Sequence, residues 1–159
     1  MSGIKDLKPA YGKFKQGYYQ PQFPDKYHGK MPIIYRSNWE RKFCAWLDLT
    51  PEILEWSSES ISIKYFYEPD QSMHTYYPDF YFMKKNQDGS ISKYLVEVKP
   101  TKFLQRPSEP KRKTPNTLKN YRMACEQFAK NYYKSIAAKE WCTRNGYKYV
   151  YLTENSNLF

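Results

Sequence analysis

Two carboxylates and an ammonium, closely spaced, are the residues of this sequence whose types can do chemistry together. Asp79 lies in the aromatic run Tyr76-Tyr77-Pro78-Asp79-Phe80-Tyr81-Phe82, and Glu97 and Lys99 lie in the run Tyr94-Leu95-Val96-Glu97-Val98-Lys99, which Pro100 ends. If both runs are strands, side chains alternate between the faces. Leu95, Glu97 and Lys99 then share one face, and Val96 and Val98 take the other. Asp79 and Tyr81 alternate in the same way with Phe80 and Phe82, so an antiparallel pairing in a suitable register sets Asp79 across from Glu97. Facing carboxylates attract a hard divalent cation, which takes oxygen ligands and keeps several waters. Asp79, Glu97 and the main-chain carbonyl of Val98 would suffice to hold it. At a phosphodiester such an ion activates water and stabilises the departing oxygen, with Mg²⁺ the expected cofactor and Mn²⁺ the expected substitute. Lys99 would orient the water, lower its pKa or neutralise the phosphate. All three roles need its ammonium.

Glu40 is the fourth candidate, and it has two readings. Ser37-Asn38-Trp39-Glu40 has the spacing of a capping box, which alone would explain the Glu. On a helix, however, Glu40 shares a face with Cys44 and Leu47 beside Trp39 and Phe43. A carboxylate leaning toward that apolar stripe needs a cation or a donor, as a metal ligand or as a partner of one. Each other piece also has an ordinary explanation. Glu-x-Lys on an exposed strand is commonly a weak surface ion pair, and Pro-Asp is a common turn dipeptide. Their combination strengthens the case for a metal-nuclease site, with plain surface charge as the alternative that the residues alone leave open.

The elements that must position these residues can be read from periodicity. A helix runs from Ser37 to about Leu49 with Trp39, Phe43, Trp46 and Leu47 on one stripe, and Pro51 stops it. Strand-like runs follow at 53–56, 61–67 and 75–83, and a turn over Asn86-Gln87-Asp88-Gly89 leads into the strand that carries Glu97. Pro115 opens a helix with Leu118, Tyr121, Cys125, Phe128 and Tyr132 at spacings of three and four. A second helical stretch continues through Ile136 and Trp141 to Gly146, and a last strand spans 147–152. This order predicts an α/β (α+β) fold: a mixed β-sheet of four to five strands flanked by helices. Residues 1–36 read as an irregular basic and aromatic arm, and residues 37–159 as the folded domain.

The balance of the 159 residues narrows the partners. There are 26 Lys and Arg against 16 Asp and Glu, a net charge of +10, which points to an acidic partner, nucleic acid first. Five of the basic residues, Lys102, Arg106, Lys111, Arg112 and Lys113, fall in a proline-broken loop over 101–114 directly after Lys99, so DNA reaching the ion would pass them. Lys13 and Lys15 of the arm are further candidates for DNA contact. For the 101–114 loop a solvated loop is the plainer alternative, and for the arm a strap of coil wrapped over the core. Nothing suggests base readout, so double-stranded DNA with little sequence preference is the expected substrate. No apolar run approaches the ~20 residues of a membrane span, mean hydropathy is −0.91, and the N-terminus lacks a signal-peptide pattern. Three scattered cysteines read as reduced packing thiols. Two histidines are too few for zinc or paired-histidine chemistry, and no phosphate-cradling glycine loop is present.

With these residues in view, the sequence resembles the PD-(D/E)XK nuclease superfamily. Tyr77-Pro78-Asp79-Phe80 matches its Pro-Asp strand, and Val96-Glu97-Val98-Lys99 its Glu-x-Lys strand. Tyr35 to Arg41, Tyr94 to Pro100 and Gly146 to Glu154 are further similar to the TnsA-type branch and to the head completion nucleases of T4-like tailed phages. The resemblance implies a restriction-endonuclease-like core with Glu40, Asp79, Glu97 and Lys99 as the catalytic set. TnsA-like members often carry Gln where Glu97 stands, so the Glu here follows the wider superfamily. The phage branch implies trimming or cleavage of packaged DNA before heads join tails, in the host cytoplasm during assembly or on the virion. Portal or neck proteins and a homodimer with one site per strand are partners compatible with that reading. A non-catalytic DNA-binding or virion joining protein on the same fold is the main alternative, and an RNA-binding module the lesser one.

Overall fold

The computed structural model describes residues 16–156. Short strands β1 (Gly17–Tyr19) and β2 (Ile33–Tyr35) precede helix α1 (Asn38–Leu49), and strand β3 (Ile53–Ser58) follows it. Strands β4 (Ile63–Tyr67) and β5 (Ser72–Tyr76) form a separate hairpin. Strands β6 (Phe80–Lys85) and β7 (Ile91–Val98), the long helix α2 (Pro115–Asn145) and strand β8 (Lys148–Leu152) complete the chain. One four-stranded sheet in the order β3-β6-β7-β8 is the centre of the fold, antiparallel except for the β7–β8 pair. The expected mixed sheet flanked by helices is therefore present.

The two faces of this sheet bury different residue sets. Phe80, Phe82 and Val96 point toward α1 and pack with Phe43, Cys44, Leu47 and Trp56. Tyr81 and Leu95 point the other way, toward Ala138 and Cys142 of α2 and toward Ile63, Tyr65 and Tyr67 of β4. In β4 these three alternate with the exposed Lys64 and Phe66, the period of a strand with one face wet. α1 begins as its sequence dictates: Ser37 Oγ accepts from the Glu40 N–H at 3.1 Å.

Three features differ from the expectations. The run 75–83 is two strands, because Tyr77-Pro78-Asp79 interrupts it. Proline offers no N–H to a ladder, so β5 ends at Tyr76 and β6 starts at Phe80. The helical stretches after Pro115 are one continuous helix, capped by Thr114 and closed at Gly146, whose φ of 75° is the left-handed conformation glycine adopts at little cost. Within 16–36, expected to be irregular, β1 pairs with β2 and Ile33 is buried in the α1-side core. Asp48, at the end of α1, holds this segment. Its buried carboxylate accepts from the Tyr19 hydroxyl at 2.9 Å and from the N–H groups of Gln22 and Phe23 at 2.7 and 3.0 Å. Lys13 and Lys15 lie outside the described residues.

Candidate functional site

Asp79 sits at the entrance to β6, and the strand register decides what it faces. Phe80 pairs with Val96 and Tyr81 with Leu95, so extending the ladder by one residue sets Asp79 across from Glu97. Alternation from Tyr81 and Leu95 directs both carboxylates to the α2 side of the sheet. Asp79 Oδ2 accepts from the Val98 N–H at 2.7 Å. The N–H and C=O of a residue in an extended strand point to the same neighbour, so the Val98 carbonyl also turns toward Asp79. Lys99 Nζ lies 3.1 Å from Glu97 Oε1, with both side chains largely shielded from solvent. The Tyr76 hydroxyl donates to the other Glu97 oxygen and lies 3.4 Å from the Tyr149 hydroxyl.

The electrostatics of this group are those of crowded, partly dehydrated acids. Burial pushes the Asp79 carboxyl well above the usual carboxylate range, and the Glu97 charge pushes it further. The Val98 N–H and the Lys99 charge pull the other way. Burial and the Glu97 charge likewise raise the Tyr76 hydroxyl far up, so it remains a protonated donor that fixes one oxygen of Glu97.

The Glu40 side chain folds back on the residues that precede α1, without the Ser37 N–H bond that would complete the expected capping box. Its Oε1 accepts from Ser37 Oγ at 3.0 Å and its Oε2 from the Arg36 N–H at 2.9 Å. Burial raises its carboxyl, which those hydrogen bonds oppose, and its charge is one of those raising Asp79. Both oxygens are thus already engaged at the helix start, while the charge is felt at the acid pair.

Sequence reasoning missed three residues of this site. Lys134, on α2, holds its ammonium 5.5 Å from the centre of the Tyr76 ring. Burial lowers its pKa, and the Glu97 charge opposes that shift. Tyr76 and Tyr149 complete the surround. Lys134 sits at helical spacing from the buried Ala138, a signal that it faces the sheet, but in a lysine-rich helix nothing separates it from the solvated ones.

Among the described residues no three His, Cys, Asp or Glu side chains converge as a ready metal cluster. The donors nonetheless fit a hard divalent cation. Two neighbouring carboxylates and a main-chain carbonyl would leave the remaining positions to water, as Mg²⁺ prefers, and a cation there would offset the Glu97 charge that, after burial, raises Asp79. Ser72, His74 and Asp70 also meet, on the β4–β5 hairpin. Both contacts of the imidazole use Nε2, at 3.1 and 2.6 Å, so among the described residues no second ring nitrogen is engaged to relay a proton from Ser72 to Asp70.

The family described as "TnsA-like endonuclease N terminal" matches residues 50–154. The chain belongs to this family. The matched stretch contains Asp79, Glu97, Lys99 and Lys134 and begins after Glu40. The chain is also 34% identical over 140 residues to the "Head completion nuclease" of Enterobacteria phage T4, a span covering 87% of this chain and 91% of that protein. No solved structure matches it.

The expected basic residues Lys102, Arg106, Lys111, Arg112 and Lys113 are all exposed. They follow the site directly, in a short 3₁₀ turn (Thr101–Leu104) and the loop leading to α2. The turn is tied to the end of the chain by the Thr101 N–H, which donates to Glu154 at 2.9 Å. Lys113 pairs with Glu109 at 3.6 Å.

Proposed function

We propose that this protein is a divalent-metal-dependent deoxyribonuclease that cleaves double-stranded DNA with little sequence preference. The observation that carries the reading is the placement of Asp79 one residue before the Phe80–Val96 pair, bound to the Val98 N–H and within electrostatic reach of Glu97, with Lys99 beside Glu97. Asp79, Glu97 and the Val98 carbonyl would hold Mg²⁺, or Mn²⁺ in its place. When bound, the ion lowers the pKa of water and neutralises charge on the phosphate and the leaving oxygen.

The remaining work falls to the chain. Tyr76 fixes the second oxygen of Glu97, so that carboxylate cannot swing away. Lys99, shielded and 3.1 Å from Glu97, holds an ammonium where an attacking water or a phosphoryl oxygen would lie. Lys134 offers a second positive charge from the α2 side. Glu40 supports the start of α1 and adds negative charge near Asp79. The basic residues after Lys99 take the DNA backbone.

The likeness to the phage T4 protein supports a place in head completion, acting on packaged DNA in the infected cell. Portal or neck proteins as docking partners, association with the virion and a homodimer cutting both strands are extensions of the same proposal.

The test uses purified protein and duplex DNA. Cleavage should require Mg²⁺ or Mn²⁺ and stop with EDTA, and Asp79→Asn, folded as the wild type, should lose roughly 10³-fold or more. An equally active Asp79→Asn protein would refute the assignment and leave a DNA-binding scaffold.

A further inference from the structure

Helix α2 carries 31 residues, but its buried residues, Ser135, Ala138 and Cys142, all lie in its C-terminal half. Ahead of them Leu118 and Tyr132 on the helix stripe are exposed, and Tyr132 keeps 56% of its surface in solvent. Against this half lies the basic loop. Between the two opens a groove of about 560 Å³, lined by Arg106 from the loop and by Tyr121, Cys125, Phe128, Tyr132 and Tyr133 from the helix. That volume is within the roughly 300–1,000 Å³ of small-ligand sites. Tyr133 is committed to the fold, since its hydroxyl donates to Glu68 at 3.1 Å and its ring packs edge-on to Tyr67. Tyr132 stands at 84° to it, and no other aromatic ring packs on Tyr132 among the described residues.

Charge identifies what would enter. From residue 101 to residue 134 there are nine Lys and Arg and two Glu, a surplus of seven within a chain whose net charge is +10. Arg106 lines the groove itself and the rest of the surplus belongs to the loop and helix that form its walls, charge that an apolar protein partner would leave uncompensated and a polyanion neutralises. A duplex presents phosphates and keeps its bases stacked inside, so it has nothing to offer the rings. An unpaired strand offers both a charged backbone and free base faces, and aromatic rings with an Arg are how sequence-tolerant single-strand sites are built. The groove also leads to the right place. Tyr133 is followed by Lys134, whose ammonium lies over Tyr76 beside Glu97.

We propose that this groove is a binding site for an unpaired DNA strand, which it delivers to the acid pair at frayed or overhanging ends. The delivery rests on the nuclease reading, but the binding does not, so the two can fail separately.

The experiment is done on the full chain in EDTA, where no cleavage complicates it. Affinities for a thymidine oligonucleotide and for a blunt duplex are measured by fluorescence anisotropy. Modification of Cys125 by a thiol reagent is followed in parallel. Cys44 and Cys142 are buried, and burial pushes the Cys142 thiol up to about 11, so Cys125 is the thiol that reacts first. The oligonucleotide should protect Cys125. The Tyr121→Ala, Tyr132→Ala double variant should lose about ten-fold or more in single-strand affinity and much less in duplex affinity. The corresponding double Phe variant, which keeps the rings, should bind as the wild type. Equal losses on both DNAs, loss in the Phe variant, an unprotected Cys125, or tighter binding to the matching uridine RNA would each overturn the proposal. If the oligonucleotide binds as expected while Mg²⁺ produces no cleavage, it is the nuclease reading that fails.

Discussion

The ammonium of Lys134 lies over the ring of Tyr76, 5.5 Å from its centre, and Tyr76 in turn holds Glu97 through its hydroxyl. This relay puts a half-buried cation next to the acid pair without a carboxylate within ion-pair distance among the described residues. Removing it should therefore weaken the transition state and leave the fold intact. Lys134→Ala is expected to lower kcat/KM for DNA cleavage about 10²-fold, with Lys134→Arg recovering part of that loss. Thermal melting should change little. Because burial lowers the Lys134 pKa, its charge is lost at a lower pH than an ordinary lysine's. The alkaline limb of the wild-type pH–rate profile should fall accordingly, and in Lys134→Arg it should move to higher pH.

Asp79 has a stability consequence of definite sign. Its native pKa is raised above the unfolded value, so its contribution favours folding at low pH and is lost as pH rises through the native pKa. At neutral pH, above the unfolded pKa, the metal-free protein thus carries at Asp79 a cost that the unfolded chain does not. Asp79→Asn should melt higher than the wild type in EDTA at neutral pH, and the difference should shrink on acidification. Mg²⁺ should raise the melting temperature of the wild type and not of the variant. Calorimetry with and without the ion checks both.

The basic loop should act through phosphates. Replacing Lys111 and Arg112 with Ala is expected to reduce the slope of log affinity against log salt on duplex DNA by about 0.9 for each contact removed. Asp79→Asn should leave the slope unchanged. Anisotropy titrations across a salt series in EDTA measure it.

Much of this was legible in the sequence, for identifiable reasons. The Glu97 strand alternates apolar and charged residues, so its faces followed from period two alone, and the capping box announced α1. The 75–83 run misled because its aromatic alternation continues through Pro78, where the ladder breaks. Lys134 and Tyr76 were hidden because their role depends on α2 crossing the sheet, a relationship between residues far apart in the chain. Asp48 was hidden in the same way. A position at a helix end carries no sign of burial, yet Asp48 is buried and accepts from Tyr19, Gln22 and Phe23. Asp48→Ala strands those donors and should cost roughly 3 kcal/mol in urea unfolding, with folded enzyme still cleaving DNA.

A protein crystal soaked in Mn²⁺ and measured for anomalous scattering puts the ion-holding role of the two facing acids to the most direct trial. A peak within coordination reach of both Asp79 and Glu97 and next to the Val98 carbonyl, absent from Asp79→Asn crystals, is the predicted result. An active protein whose Mn²⁺ peak lies elsewhere, or that shows none, would contradict it.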